Sequence, residues 1–316
     1  MQKMLSLALV ALASTCACTA ADPVPAAAPA VAAEQKGPMF GKVDGQIFAA
    51  GDNRVMILNP DGSIAWEHKT ALTTDAWVLP NGNILFGDGV SVTEVTRDHK
   101  VVFQYKSPAG KHDATYGCQR LANGNTLVGE NATGKVLEVD PQGKVVFELQ
   151  TINSKPNAHH NQRVVRKLEN GNYLVCHSGE KVVREYQPDA KVVWEQKVNN
   201  VAFAAIRKPN GNTLISALDK LTEYKPDHTV AWEFKNTDIP DVKITNMTTI
   251  QILDNGNILV GCYSAYTKEG QGNGLFEITA DKKLVWRFAD PKTARTTMAA
   301  QKLDADGKVL PGKTLH

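Results

Sequence analysis

The chain has 316 residues, of which 42% are hydrophobic and 22% are charged, a composition typical of a soluble protein with a substantial core. This balance excludes a chain that is disordered throughout, because it supplies enough apolar side chains to bury. The formal net charge is only +2 and charges of both signs alternate along the sequence, so we expect no nucleic-acid partner.

The first 21 residues have the pattern of a signal peptide, since a lysine precedes the apolar run Leu5 to Ala13 and small residues follow it. The run is too short to span a bilayer as a stable helix. Cleavage after the alanine pair that ends this region would release the protein, whereas acylation of Cys16 or Cys18 would anchor it as a lipoprotein. We therefore predict an exported protein, periplasmic or secreted, with the lipid anchor as the alternative.

Residues 22–37 consist mostly of alanine, proline and valine. Such a segment cannot bury enough side-chain surface to fold, so we predict a disordered linker here. Residues 38–316 are then expected to form a single domain, which we predict to be monomeric.

An Asn-Gly-Asn sequence between apolar residues recurs along the predicted domain. Asn-Gly favours a tight hairpin turn because both residues tolerate a positive φ. The copies are at residues 81–83, 123–125, 170–172, 210–212 and 255–257. Each copy predicts an antiparallel hairpin.

A second hairpin is marked by a glutamate that stands nine residues before an aromatic residue. Apolar and polar residues alternate through each copy with the period of two that half-buried strands require. The pairs are Glu94 and Phe103, Glu138 and Phe147, Glu185 and Trp194, Glu223 and Trp232, and Glu277 and Trp286, with Ile57 and Trp66 in a sixth copy. Because catalysis needs one site and not six, we expect the repeated glutamates to form hydrogen bonds or solvated strand faces.

Two hairpins make a four-stranded sheet, and successive closing aromatics are 37 to 54 residues apart, which is the length of a propeller blade. We predict an all-β fold, a six-bladed β-propeller of four-stranded antiparallel blades, with Trp194 and Trp232 packed between neighbouring blades. The segment from Met298 to Leu303 would join the N-terminal blade and close the ring. Seven blades are the alternative, because Asp306-Gly307 near the C-terminus also resembles a first hairpin.

The tandem unit of Leu-Pro-Asn-Gly-Asn hairpins and Asp-Pro-Gln-Gly-Lys-Val-Val-Phe-Glu sequences resembles the quinoprotein-like (PQQ-like) propeller repeats. Among enzymes it is most similar to the propeller of bacterial arylsulfotransferases. The resemblance covers nearly all of the chain after Pro38 and implies the fold. Its residues are turn and packing residues, so it says little about function, because propellers host many activities.

A redox quinone cofactor is not expected. A quinone-dependent dehydrogenase of the family that the repeats resemble would be about twice as long and would carry adjacent cysteines. Beyond the signal region only Cys118, Cys176 and Cys262 are present, an odd number without the spacing of metal ligands. We predict that they are small buried side chains.

The loops that enter the inner strands, together with the loops between the middle strands, are predicted to meet at one face of the ring. Function concentrates on such loops above a rigid scaffold, so the central mouth is the candidate site. Four of the eight histidines map to this end. The predicted ligand-binding residues are His112, Tyr116, His159, His160, Asn161, Arg163, His177, Asn246 and Arg295.

The sequence supports three hypotheses for this mouth. The first is recognition of a small anionic or carbohydrate ligand, or of a protein partner. The second follows from the resemblance, which implies that His160 takes up a sulfuryl group while Asn161 and Arg295 bind its oxygens. The third is a divalent metal held by His112, His159, His160 and His177 that supports polysaccharide cleavage. If any three of the five residues His112, His159, His160, His177 and Arg295 converge on one point, catalysis or metal binding is favoured. Side chains that point apart would favour a scaffold.

Overall fold

The computed structural model describes residues 39–154, 159–240, 242–264 and 273–311. Within these ranges the regular secondary structure consists of β-strands, and the strands form six sheets. The predicted signal peptide and linker lie outside the described residues. No helix in the described part of the chain is long and apolar enough to cross a membrane.

The strands are short and follow one another with few residues between them. The first half of the chain contains β1 (Met39–Gly41), β2 (Ile47–Gly51), β3 (Arg54–Leu58), β4 (Ile64–Lys69), β5 (Ala76–Val78), β6 (Ile84–Gly87), β7 (Ser91–Val95), β8 (Val101–Lys106), β9 (Thr115–Arg120), β10 (Thr126–Glu130), β11 (Lys135–Val139) and β12 (Val145–Gln150). The second half contains β13 (Val165–Lys167), β14 (Tyr173–His177), β15 (Val182–Tyr186), β16 (Val192–Lys197), β17 (Ala204–Arg207), β18 (Thr213–Ser216), β19 (Lys220–Tyr224), β20 (Val230–Lys235), β21 (Asn246–Ile252), β22 (Ile258–Tyr263), β23 (Leu275–Ile278), β24 (Leu284–Phe288) and β25 (Ala299–Lys302).

Each sheet is one antiparallel blade. Blade one has the order β25-β2-β3-β4, and blades two to five are β5–β8, β9–β12, β13–β16 and β17–β20, counted from the axis outward. Blade six is β21–β24 with β1 added at its outer edge. The inner strands of neighbouring blades contact one another, except that blades four and five meet through β14 and β17, and the inner strand of blade six contacts that of blade one. The chain is therefore a six-bladed β-propeller, as predicted.

The first and the last described strands, β1 and β25, both close the ring. Strand β25 pairs with β2, with Ala299 opposite Ala50, so the predicted union of the C-terminal strand with the N-terminal blade is confirmed. Strand β1 also pairs with β24 of blade six, which is a second closure of the ring that was not predicted. The alternative of seven blades is wrong, because the chain after β25 folds back and Leu303 bridges Val309 within blade one.

The nine-residue spacing places the glutamate and the aromatic residue directly across a hairpin. Glu94 faces Phe103 and Glu277 faces Trp286, and the register shifts just beyond each pair. Such a β-bulge increases the local twist, and the same bulge recurs in all six blades. In the Asn-Gly turns, Gly82 adopts a φ of +84°, which a residue without Cβ tolerates best.

The closing tryptophans pack between blades, as predicted. Trp194 and Trp232 are half-buried against an apolar cluster shared by blades four, five and six. The Trp232 indole N–H donates to the carbonyl of Ala280 in blade six at 2.8 Å. The three cysteines are free and buried, which confirms their prediction.

The repeated glutamates form hydrogen bonds at the junctions between blades. Glu277 accepts from Asn257 and from the Trp286 indole, both within its own blade at 2.7 Å. It also accepts from Lys302 of blade one at 2.8 Å. The equivalent ion pairs across blade junctions are Glu94 with Arg120, Glu138 with Lys167, and Glu185 with Arg207.

Lys302→Met is expected to lower the free energy of unfolding by about 3 kcal/mol, because it leaves the buried carboxylate of Glu277 without its cation. Chemical denaturation measures the change. Lys283→Met is the control, since the pair of Lys283 with Asp281 is exposed to solvent and its loss should change stability far less. Equal losses in the two variants would contradict this role of the junction pair.

Candidate site at the mouth of the propeller

A cavity of about 420 Å³ lies where loops from all six blades meet. It is bounded by the loops that enter the inner strands and by turns between the middle strands, which is the face that the sequence predicts. Its walls are largely apolar, and its polar residues come from several blades and include one carboxylate, Asp52. The apolar walls comprise Leu72, Tyr116, Val201, Phe203, Leu218, Tyr263 and Met298, and the polar residues include His112, His159, His160 and Arg163.

Five of the nine residues that the sequence predicts for ligand binding line this cavity. They are His112, Tyr116, His159, His160 and Arg163. All five lie in, or just after, the loops that enter β9 and β13. The structure therefore places them together, while their role in binding stays a prediction.

The other four predicted residues do not line the cavity. Asn161 is buried and its amide donates to the carbonyl of Asn131 at 2.9 Å. His177 is fully buried. Asn246 is half-buried, and its amide lies 3.4 Å from the carbonyl oxygen of Tyr263. Arg295 is exposed in the loop before β25. The structure places these four residues outside this cavity, and their role in binding stays a prediction.

Arg163 is the cation of the cavity, and two aromatic rings hold it. Its guanidinium carbon lies 4.3 Å from the centroid of the Tyr116 ring and 5.4 Å from that of Phe203. Arg163 is 7% exposed, and its Nε is buried without a hydrogen-bond partner. Among the described residues, no carboxylate lies within ion-pair distance of this guanidinium. A buried cation with cation–π contacts but no counter-ion is an attractive environment for an anion.

Two imidazoles complete the polar side of the cavity. Arg163 Nη2 lies 3.2 Å from His159 Nε2 and 3.5 Å from His160 Nδ1. Because a guanidinium only donates, both of these imidazole nitrogens must accept. The opposite nitrogen of each neutral ring then carries the proton. On His159 this is Nδ1, which lies 3.1 Å from the Tyr116 hydroxyl and 3.7 Å from Asp113.

Burial, followed by the charge of Arg163, lowers the pKa of both His159 and His160. The two rings are therefore neutral at pH 7. Arg163 supplies one positive charge and N–H donors here, a combination that suits an anion.

His177 belongs to the interior of blade four. Its Nδ1 donates to the carbonyl of Asn161 at 2.9 Å, and its Nε2 accepts from the Tyr186 hydroxyl at 2.8 Å. Burial is the main cause that lowers its pKa to about 4. The residue therefore supports the loop that carries His160.

The protein should lose stability as the pH falls from 6.5 to 4, because the unfolded chain binds a proton at this histidine and the folded chain does not. His177 contributes about 3 kcal/mol to that loss. His177→Gln should be less stable at pH 7 but flatter over this range, which denaturation at several pH values measures. Exposed His228→Gln should keep the slope of the natural protein; identical slopes in both variants would contradict the assignment.

Arg166 closes the axis below the mouth. It forms a two-pronged ion pair with Asp75, at 2.7 and 3.2 Å, across the ring from blade four to blade two. Its guanidinium carbon lies 4.7 Å from the centroid of the Trp77 ring. A second cavity of about 450 Å³ opens on the far side of this pair. Each of its four cations is paired with a carboxylate: Arg166 with Asp75, Lys167 with Glu138, Arg207 with Glu185, and Lys208 with Glu223.

Sequence reasoning missed the apolar wall of the mouth cavity. Val201 and Phe203 precede β17, and Leu72 precedes β5, at positions equivalent to the predicted polar loop residues. Their place in the repeat could have identified them, but an apolar residue next to a strand is first interpreted as core.

Within the ranges that the structure describes, no group of three or more histidine, cysteine, aspartate or glutamate side chains is arranged to hold a metal ion. Three of the five residues whose convergence would favour catalysis or metal binding, His112, His159 and His160, line this one cavity, while His177 and Arg295 do not. The polar part of the site thus consists of one arginine and three histidines, with further polar residues from the neighbouring loops.

No family model matches the chain, and no curated protein sequence matches it. Among solved structures it is similar to a protein of unknown function from Bacteroides caccae, with a TM-score of 0.73 and 22% identity, over 82% of this chain and 98% of that one. It is also similar to a catalytically inactive virginiamycin B lyase from Staphylococcus aureus with quinupristin, with a TM-score of 0.55 and 13% identity, over 81% and 89% of the two chains. The WD40 β-propeller domain of Doa1 gives 0.55 and 14%, over 87% and 90%.

At these identities the likeness shows the fold alone. The protein is a β-propeller with a ligand-sized cavity at its mouth. Membership of the quinoprotein-like or arylsulfotransferase families stays a prediction from the repeat sequence.

The two arginines of this region should respond in opposite ways to replacement by methionine. Arg163→Met removes a buried charge that has no carboxylate, so its free energy of unfolding should stay within about 1 kcal/mol of the natural protein or rise. Arg166→Met leaves Asp75 buried and unpaired and should cost about 3–5 kcal/mol. Denaturation of both variants tests this, and a larger loss for Arg163→Met would show that Arg163 is a structural cation.

Proposed function

We propose that the protein binds a small organic anion, with an apolar body, at the mouth of the propeller. The observation that carries this proposal is Arg163, a buried cation whose polar contacts among the described residues are two neutral imidazoles. An anionic group would supply the missing counter-charge and accept from the N–H groups around it. The ligand thereby stabilises a site that is electrostatically unfavourable when empty.

The walls of the cavity support the apolar part of the ligand. Phe203, Leu218 and Met298 line the cavity together with Arg163 and the histidines. A cavity with a few polar groups and mainly apolar walls binds an organic molecule by burying its surface, and the polar groups fix its orientation. Inorganic sulfate or phosphate would leave these walls uncovered.

The enzymatic alternatives use the same cavity. Sulfuryl transfer needs a nucleophilic lone pair on His160, but its Nδ1 lone pair is directed at Arg163. Metal-dependent polysaccharide cleavage needs a cluster of ligands, and the described residues form none. Binding without chemistry fits the present arrangement best. We further propose that the protein is exported, as a periplasmic or secreted monomer, and binds its ligand outside the cytoplasm.

Isothermal titration calorimetry with 2-naphthyl sulfate, and with 2-naphthol as the uncharged counterpart, tests this function. We expect the sulfate ester to bind and the alcohol to bind much more weakly. Arg163→Met should weaken binding of the ester about 10- to 100-fold, the range for a lost charged hydrogen bond. Arg295→Gln is the matched control, because this arginine is exposed and does not line the cavity.

Equal binding of 2-naphthyl sulfate by the natural protein and Arg163→Met would overturn the proposal. The same probe also tests the sulfuryl-transfer alternative. Release of fluorescent 2-naphthol in the presence of phenol, with loss of this activity in His160→Gln, would replace a binding function by an enzymatic one.

A further inference from the structure

The mouth cavity carries a negative charge in addition to the positive charge of Arg163. Apart from the histidines, Asp52 and Arg163 are the charged side chains among the described residues that line it. Asp52 lies in the turn between β2 and β3 of blade one, whereas Arg163 lies in the loop that enters β13 of blade four. Blades one and four are three positions apart in a ring of six. The two charges therefore come to the cavity from opposite sides of the axis.

A hairpin turn and a neighbouring loop hold Asp52 in place. Gly51 pairs with Arg54, so Asp52 and Asn53 are the two turn residues, with φ angles of +48° and +60°. Positive φ at both positions is typical of the tight turns that match the twist of a hairpin. Oδ2 of Asp52 accepts from the backbone N–H of Thr296 at 3.0 Å. The loop that carries Thr296 lies directly on the hairpin, because a Cβ at Gly51 would clash with the Thr296 carbonyl oxygen.

The carboxylate of Asp52 has no cation beside it. Among the described residues, no lysine, arginine or histidine side chain lies within ion-pair distance of it. Arg54, the cation nearest in sequence, binds Glu67 at 3.1 Å and the carbonyl groups of residues 292 and 293. In the same part of the chain, Oδ1 of Asp52 accepts no hydrogen bond. A carboxylate only accepts, so this oxygen is available to a donor in the cavity.

The remaining four blades contribute apolar or aromatic side chains to the cavity. Going around the ring, two of these blades lie on each side between blade one and blade four. Their contributions are Leu72 from the loop that enters blade two, Tyr116 from blade three, Phe203 and Leu218 from blade five, and Tyr263 from blade six. A ligand that reaches both charged side chains would bury its middle against these walls.

We propose, on the basis of the proposed function, that the ligand of the mouth is a zwitterion. Its anionic group binds Arg163, and a protonated amine at the other end of its apolar body binds Asp52. An ammonium group donates three hydrogen bonds, and Asp52 Oδ1 accepts one of them. Asn53 and Thr296 also line the cavity and carry side-chain oxygens that accept the others. A site with one charge of each sign fixes the orientation of such a ligand and disfavours a dianion.

Isothermal titration calorimetry with tyramine O-sulfate and 4-propylphenyl sulfate tests this proposal. The two esters have the same aryl sulfate and side chains of equal length, but the first ends in an amine that is protonated at pH 7 and the second in a methyl group. We expect tyramine O-sulfate to bind about 5- to 20-fold more tightly, between the value of an exposed ion pair and that of a charged hydrogen bond.

Asp52→Asn should remove most of this advantage of tyramine O-sulfate over 4-propylphenyl sulfate. Asparagine tolerates a positive φ and keeps an oxygen for the N–H of Thr296, so we expect the variant to fold, which circular dichroism checks. Asp219→Asn is the matched control, because Asp219 is exposed in the equivalent turn of blade five and does not line the cavity. This control should keep the full advantage.

The failure of this proposal can be told apart from the failure of the anion-binding function. If the natural protein binds both esters equally and Arg163→Met weakens both, the anion-binding function stands and the zwitterion is overturned. An unchanged advantage in folded Asp52→Asn, or an equal loss in Asp219→Asn, overturns the role of Asp52 in the same way. If neither ester binds, the anion-binding function and the zwitterion are both overturned.

Discussion

Each blade is stable only because its two faces are covered by its neighbours, and the polar groups at these junctions must be paired when they are covered. Glu277 satisfies this constraint with Lys302 of the next blade. Blade one shows the same constraint in another form. In blade one Ile57 replaces the glutamate, and in blade two Val78 occupies the position of the lysine or arginine that would pair with it. Both members of the pair are therefore apolar, and they pack in one cluster. A lone charge at this depth would be destabilising.

This ring of covered sheets determines where binding can occur. The inner strands bring loops from every blade to one mouth, although the loops are far apart in sequence. Arg163 and Arg166 are three residues apart, yet they differ in environment. Arg166 is neutralised by Asp75 and closes the axis, whereas Arg163 stacks on Tyr116 and Phe203 without a carboxylate. The charge of Arg163 is therefore unfavourable when the cavity is empty, and an anionic ligand would compensate it.

The histidines show why residue type alone was a weak guide to the site. His159 and His160 reach the cavity, but His177, which also ends a strand at the same face, turns inward to Tyr186. Side chains alternate between the two faces of a strand, so a change of one position decides between a ligand site and the interior.

The sequence by itself determined the blades and their hairpins, because Asn-Gly turns and the nine-residue spacing act within a few residues of each other, but it left six or seven blades open. It also determined that the glutamates are structural, since they recur with the repeat. The closure by β1, the cation without a counter-ion and the apolar wall around it were decided only by the tertiary structure. These features depend on distances between residues of different blades, and such distances exist only after the ring has closed.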